Sequence, residues 1–208
     1  MEPGLYAIVD LDALAGRDPV AFAQRVLAGG ALAALQLRAK SLGAGALLSL
    51  AREIGPWCRA AGVPFYVNDR PDVAALAGAD GVHLGMEDLP VEAARRVSPS
   101  LRVGLSSHDD GEVSRALATD ADYLAFGPVF GTRSKSNPAP TVGLDALRLV
   151  CERAGSRPVV AIGGVTLENA ATVRAAGATA GAVIAALVVD DARVTQVASE
   201  LHHALGGR

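Results

Sequence analysis

The stretch LQLRAK, residues 35–40, alternates in character: Leu35, Leu37 and Ala39 fall on one face, Gln36, Arg38 and Lys40 on the other. A period of two is the side-chain repeat of a β-strand. Half of the chain's 208 residues are apolar, so a strand that lines one face with an amide and two cations needs a reason. The strand is followed by residues 44–60, where Leu47, Leu50, Ile54 and Trp57 recur at helical spacing. Strand and helix together make one βα unit.

The same unit recurs along the chain. Short apolar runs predict strands at 5–10, 33–38, 64–69, 81–85, 102–107, 123–130, 159–164 and 181–188. Helical patterns lie between and after them, at 18–29, 44–60, 72–77, 90–97, 111–118, 143–153, 167–176 and 191–205. Small-residue stops such as AAGV at 60–63 and AAGATAG at 175–181 close helices and lead into the next strand. Eight βα units in a chain this short predict a (β/α)8 TIM barrel, read as a single domain over residues 1–208. An open doubly wound sheet fits less well, because the first strand is not followed by a Gly-x-Gly-x-x-Gly turn.

The barrel explains the alternation. Helices cover the outer strand face, so outward residues are apolar. Inward residues near a strand's carboxyl end point into the mouth, where such barrels place their sites. Leu35 and Leu37 then face helices, and Gln36, Arg38 and Lys40 line the mouth.

Other carboxyl ends add to it. VNDRPD, ending the third strand, and GMEDLP, after the fourth, bring Asp69 and Asp88 to neighbouring strands. Two hard oxygen ligands suit a Mg2+ ion that keeps several waters and bridges to substrate phosphates. Helix capping is the competing explanation for each aspartate taken alone. Ser106, in SSHDD, supplies a hydroxyl. His83 reads as a satisfied core histidine and His108 as a surface residue. No Cys–His or Ser–His pair stands out as a nucleophile with its base. After the sixth strand, Thr132, Ser134 and Lys135 give two hydroxyls and a cation, in a loop long enough to act as a lid. Lys40 and Lys135 are the only lysines beside 17 arginines. Gly163 and Gly164 end the seventh strand, and Ile184 and Ala185 are read inside the eighth. Backbone N–H groups there suit a phosphate. The alternative for the glycines is close packing.

The totals exclude some classes. Net charge is −3 with scattered basic residues, which argues against nucleic acid and anionic membranes as partners. No apolar run is long enough for a membrane span, and residues 1–10 lack the basic region of a signal peptide. Cys58 and Cys151 show no metal spacing and read as reduced thiols of a cytoplasmic protein.

Taken in order, QLRAK (36–40), VNDRPDVA (67–74), GADGVHLGMEDLP (78–90), GLSSHD (104–109), ADYLAFGPVFGTRSK (121–135) and VAIGGVTLENA (160–170) resemble the thiamine phosphate synthase family. The resemblance implies a (β/α)8 barrel that joins hydroxymethylpyrimidine diphosphate to thiazole phosphate and releases diphosphate. It implies Gln36, Leu37, Arg38, Ala39, Lys40, Asn68, Ser106 and Lys135 at the pyrimidine diphosphate. Among these, Arg38, Lys40, Ser106 and Lys135 would carry catalysis. It implies Mg2+ on Asp69 and Asp88, and Thr132, Arg133, Ser134, Gly164, Ile184 and Ala185 around the thiazole phosphate. Partners are then small phosphorylated molecules, and homo-oligomerisation is compatible with the reading.

Departures from the family's pattern fall on the thiazole side: Gly131 for an expected proline, Ser134 for a threonine, Ala185 for a common serine. A related thiazole tautomerase carries a histidine in a GHVF segment, where this chain has Pro128. A tautomerase-like isomerase and a non-catalytic barrel that binds thiazole phosphate are the alternative readings.

Overall fold

The computed structural model describes residues 1–131 and 140–208. Eight parallel strands close in chain order into a barrel: β1 (Gly4–Asp10), β2 (Ala34–Arg38), β3 (Phe65–Asn68), β4 (Gly81–Leu84), β5 (Arg102–Ser107), β6 (Tyr123–Phe126), β7 (Val159–Ile162) and β8 (Ala180–Val183). Closure removes both sheet edges, because β1 pairs with β2 and with β8. Helices cover the barrel: α1 (Leu11–Leu14), α2 (Pro19–Leu27), α3 (Ala44–Ala60), α4 (Pro71–Ala77), α5 (Val91–Val97), α6 (Asp110–Leu117), α7 (Gly143–Ala154), α8 (Ala170–Ala175) and α9 (Val194–Ala204). Among the described residues, no helix is long and apolar enough to cross a membrane.

Local chemistry sets several boundaries. Asp18 caps α2 by accepting from the N–H groups of Val20 and Ala21, with Pro19 in the first turn where a missing N–H costs nothing. Asp109 caps α6 by accepting from Glu112 N. The helix α1, absent from the sequence reading, is a single turn capped by Asp10 through Ala13 N. It is too short to show a periodicity of its own.

The alternation seen in residues 35–40 divides the interior in two. Leu35 and Leu37 are fully buried in the layer between strands and helices, with Val67, Leu84, Leu105 and Leu124. Ala34 belongs to the cluster inside the barrel, with Tyr6, Ile8, Tyr66, Tyr123, Ala125, Val160, Ala180 and Ala182. All three tyrosines of the chain sit there, with ring centroids 5.6 to 5.9 Å apart. Glycines on adjacent strands make room. A Cβ on Gly81 would lie 2.4 Å from Tyr66 Cε1, and one on Gly104 would lie 2.0 Å from Tyr123 Cζ.

Several strand expectations ran too long at the carboxyl end: the third, fourth and seventh strands stop at Asn68, Leu84 and Ile162, so Gly163 and Gly164 lie beyond the seventh strand, and the sixth and eighth overrun furthest. The sixth strand stops at Phe126, four residues before the expected end at 130. The eighth stops at Val183, so Ile184 and Ala185 are not strand residues. Ile184 precedes a 3-10 turn, Ala185–Leu187. In both places the apolar run continues past the last ladder bond: Val129 and Leu187 are buried in the outer core, and Ile184 packs against the cluster inside the barrel.

Candidate active site

The mouth is built at the carboxyl ends of the strands. Gln36 and Asn68 lie near the ends of neighbouring β2 and β3, and Gln36 Nε2 donates to Asn68 Oδ1 at 2.7 Å. Gln36 is buried, so this pairing satisfies an amide that would otherwise be costly there. The side chain of Leu37 faces the helices and Ala39 is buried in the same outer layer. These two can meet a ligand only through their main chain.

The cations are not free charges. Arg38 sits in register with Asp10 on β1 and is ion-paired to it, with Asp12 Oδ2 3.8 Å away. Asp10 is 2% exposed and also caps α1, so one carboxylate fixes both the arginine and the first turn of the helix. Sequence reasoning missed Asp10, which looks like an ordinary strand end. Lys40 follows β2 in a turn and is half exposed, with Nζ 3.3 Å from Asp69 Oδ2.

Asp69 and Asp88 form the acidic part. Neither caps a helix. The N-caps of α4 and α5 are Arg70 and Pro90, without side-chain capping bonds. Asp69 has φ +64, a left-handed conformation uncommon outside glycine but most accessible to Asn and Asp. Its amide donates to His83 O at 2.8 Å, which ties β3 to β4 at that turn. Asp88 Oδ2 accepts from Gly85 N at 2.6 Å. Burial pushes the Asp69 carboxyl above its ordinary range; the nearby Asp88 adds to this and Lys40 opposes it. Asp88 is thus close enough to make Asp69 harder to ionise, with Lys40 as the cation beside it. Among the described residues, no group of three or more His, Cys, Asp or Glu could by itself hold a metal. Two carboxylates alone are a donor set that would leave a hard cation to take its remaining ligands from water and substrate oxygens.

Ser106, near the end of β5, is half-buried at the mouth, and its Oγ lies 2.8 Å from His83 Nε2. The sequence reading, which found no Ser–His pair fit to be a nucleophile and its base, did not bring these two residues together. The two residues are 23 apart in sequence and meet because β4 and β5 are neighbours. His83 is a buried, hydrogen-bonded histidine, with Nδ1 2.8 Å from Tyr123 Oη. His108 is not a surface residue either. It is half-buried, with Nδ1 2.5 Å from the Gly127 carbonyl, to which it must donate.

Around the expected phosphate cup, Gly163 and Gly164 have φ +95 and +65. A Cβ on Gly163 would lie 2.4 Å from Pro128 Cβ, and one on Gly164 2.5 Å from Gly131 O. Val129 N and Phe130 N donate to Ile162 O and Gly163 O. Close packing of the segment after β6 on that after β7 therefore demands these glycines. Ile184 is half-buried and Ala185 exposed beyond β8. Thr132, Arg133, Ser134 and Lys135 lie outside the described residues, as does most of the 131–142 loop. The residues flanking them are bonded to each other: Val142 N to Pro128 O at 2.9 Å and Gly143 N to Val129 O at 3.2 Å.

Comparison with known proteins agrees with this architecture. The family model described as thiamine monophosphate synthase matches residues 5–187. The chain is 46% identical over 193 residues to a thiamine-phosphate synthase of Koribacter versatilis, covering 90% of each chain. It is 46% identical over 202 residues to that of Methanocella arvoryzae, covering 97% of this chain and 94% of the relative. Thiamine phosphate pyrophosphorylase from Pyrococcus furiosus superposes with a TM-score of 0.87 at 34% identity, covering 97% of this chain and 95% of that one. The chain belongs to the thiamine monophosphate synthase family.

Proposed function

We propose that the protein joins hydroxymethylpyrimidine diphosphate to thiazole phosphate, forming thiamine phosphate and releasing diphosphate. The C–O bond to the diphosphate breaks with its electron pair on the leaving oxygen, and the thiazole nitrogen supplies the pair for the new C–N bond. The observation that carries this reading is the cluster of Lys40, Asp69 and Asp88 at one side of the mouth, with Arg38 nearby on β2. A departing diphosphate accumulates negative charge, and fixed positive groups in a partly dry site lower the barrier to that step.

Arg38, held from behind by Asp10, offers a planar fork to phosphate oxygens. Lys40 is a compact charge on a flexible stem, able to follow an oxygen as it moves. Gln36 and Asn68 orient the pyrimidine end. Ser106 reaches it from β5, and Lys135 completes the charge around the diphosphate. Gly164, Ile184 and Ala185 take the thiazole phosphate through main-chain N–H groups, and Thr132, Arg133 and Ser134 are the further residues assigned to it. Asp69 and Asp88 would hold Mg2+, which when bound supplies Lewis-acid neutralisation of the leaving diphosphate. No protein nucleophile is needed, so the enzyme is read as a transferase working by positioning and charge, on small phosphorylated partners in the cytoplasm.

A tautomerase or a thiazole phosphate carrier has no use for paired carboxylates beside a lysine, and the relatives above are named as synthases. The test is product formation from the two substrates with Mg2+, with and without EDTA. Metal-dependent thiamine phosphate is expected. A folded protein that binds thiazole phosphate but makes no product would overturn the proposal. Lys135→Ala is expected to lower kcat more than it raises KM.

A further inference from the structure

A file of polar groups runs from the closed interior of the barrel to its mouth. Tyr6 Oη lies 2.7 Å from Tyr123 Oη, Tyr123 Oη 2.8 Å from His83 Nδ1, and His83 Nε2 2.8 Å from Ser106 Oγ. Three of the four residues are inaccessible: Tyr6 and Tyr123 are each 1% exposed and His83 8%. Taken alone, the Ser106–His83 contact resembles a nucleophile and its base.

We infer that this file has one polarity, set at its inner end: Tyr6 donates to Tyr123, Tyr123 to His83 Nδ1, and His83 Nε2–H to Ser106, so that Ser106 presents its own proton to the mouth as a donor.

The argument is one of counting. Each hydroxyl brings one proton and must place it. The Tyr6 hydroxyl has one hydrogen-bond partner among the described residues, Tyr123 Oη. If Tyr123 donated inward, the Tyr6 proton would be left in an apolar interior with no acceptor. A buried donor without a partner bears its full desolvation penalty, whereas a spare lone pair costs much less. Burial holds both phenols protonated far above their usual range, so neither escapes by ionising. Tyr6 therefore donates, Tyr123 passes its proton to Nδ1, and Nε2 carries the ring proton.

With a proton on Nε2, His83 has no lone pair to offer Ser106. The pair is not a nucleophile and base, and Ser106 is a fixed donor to an acceptor atom of the ligand. Tyr6 and Tyr123 are positioning residues that act through His83. The use of the Ser106 proton toward the pyrimidine diphosphate rests on the proposed function; the polarity does not.

Two-bond nitrogen–proton correlation spectra of the 15N-labelled, ligand-free protein report which nitrogen of each imidazole is protonated. The His83 signals are those lost in His83→Gln. The expected pattern is a proton on Nε2 and a bare Nδ1; a proton on Nδ1 overturns the inference. Tyr123→Phe should bring in the second tautomer and lower kcat about tenfold, with KM changed less than about twofold. Placed on a Ser106→Ala background, Tyr123→Phe should have no further effect on kcat. An additive loss would show that Tyr123 does not act through Ser106, and would overturn its positioning role. An Nε2-protonated His83 in a protein that makes no thiamine phosphate would overturn the proposed function and leave the polarity standing.

Discussion

Asp10 and Arg38 face each other in register across β1 and β2, and the carboxylate that pairs with the arginine also caps the first helix. Arg38 is thereby aimed at the mouth by a residue from another strand. Asp10→Asn keeps an oxygen for Ala13 N and removes the charge. The variant should lose about 3 kcal/mol of stability by stranding a largely buried guanidinium. It should also raise KM for the pyrimidine diphosphate, because the arginine is no longer fixed. Denaturant melts and steady-state kinetics check both, and unchanged values of either would count against the pairing.

Asp69→Asn and Asp88→Asn should each cut turnover about a hundredfold or more. Stability should respond in the opposite sense at Asp69. Its carboxyl is hard to ionise because of burial and Asp88, so removing the charge relieves repulsion, and Asn tolerates the left-handed backbone. A melting temperature equal to or above that of the wild type is expected, together with the loss of activity. A clear drop in melting temperature would show that Asp69 is a structural group.

Metal affinity should depend on pH through the same carboxyl. Asp69 is raised above its ordinary range, so a cation must displace a proton from it on the acid side. Affinity for Mn2+, followed by electron paramagnetic resonance, should strengthen as pH rises through that raised value and then level off. Flat affinity across the acid range would remove Asp69 from the ligand set.

The thiols predict a loss of stability in alkali. Burial pushes Cys58 up to about 12 and Cys151 up to about 11, from an ordinary 9.0. Above pH 9.0 the unfolded thiols ionise while the folded ones stay neutral, so the unfolded chain binds fewer protons and stability falls as pH rises. Below that pH these groups contribute no slope. Urea midpoints should therefore fall between about pH 9 and about pH 10.5, and Cys58→Ala should make the fall shallower. An equal slope in the variant would refute the assignment.

Two glycines should respond in opposite directions. Gly104→Ala puts a methyl group 2.0 Å from the Tyr123 ring inside the barrel, and should cost about 3 kcal/mol. Gly45, in the first turns of α3, has open space where its Cβ would go, and Gly45→Ala should raise stability by about 0.5 kcal/mol. Denaturant unfolding of both variants separates the two cases.

The chain's order of apolar runs and helical stretches was enough to reach the barrel, because period two and period 3.6 are local properties that survive without a partner. The direction of Gln36 and Arg38 into the mouth was legible for the same reason. So was the provision of Asp69 and Asp88 after neighbouring strands. The tertiary structure alone decided how these charges are neutralised. Asp10 meets Arg38 from 28 residues away, and His83 meets Ser106 from 23, through strand register that no local pattern encodes. It also decided why Gly104 and Gly163 are glycine, since what crowds them is the Tyr123 ring and Pro128, brought from other strands and loops. Local periodicity names the elements and their faces. Closure of the sheet determines which polar groups stand within hydrogen-bonding distance.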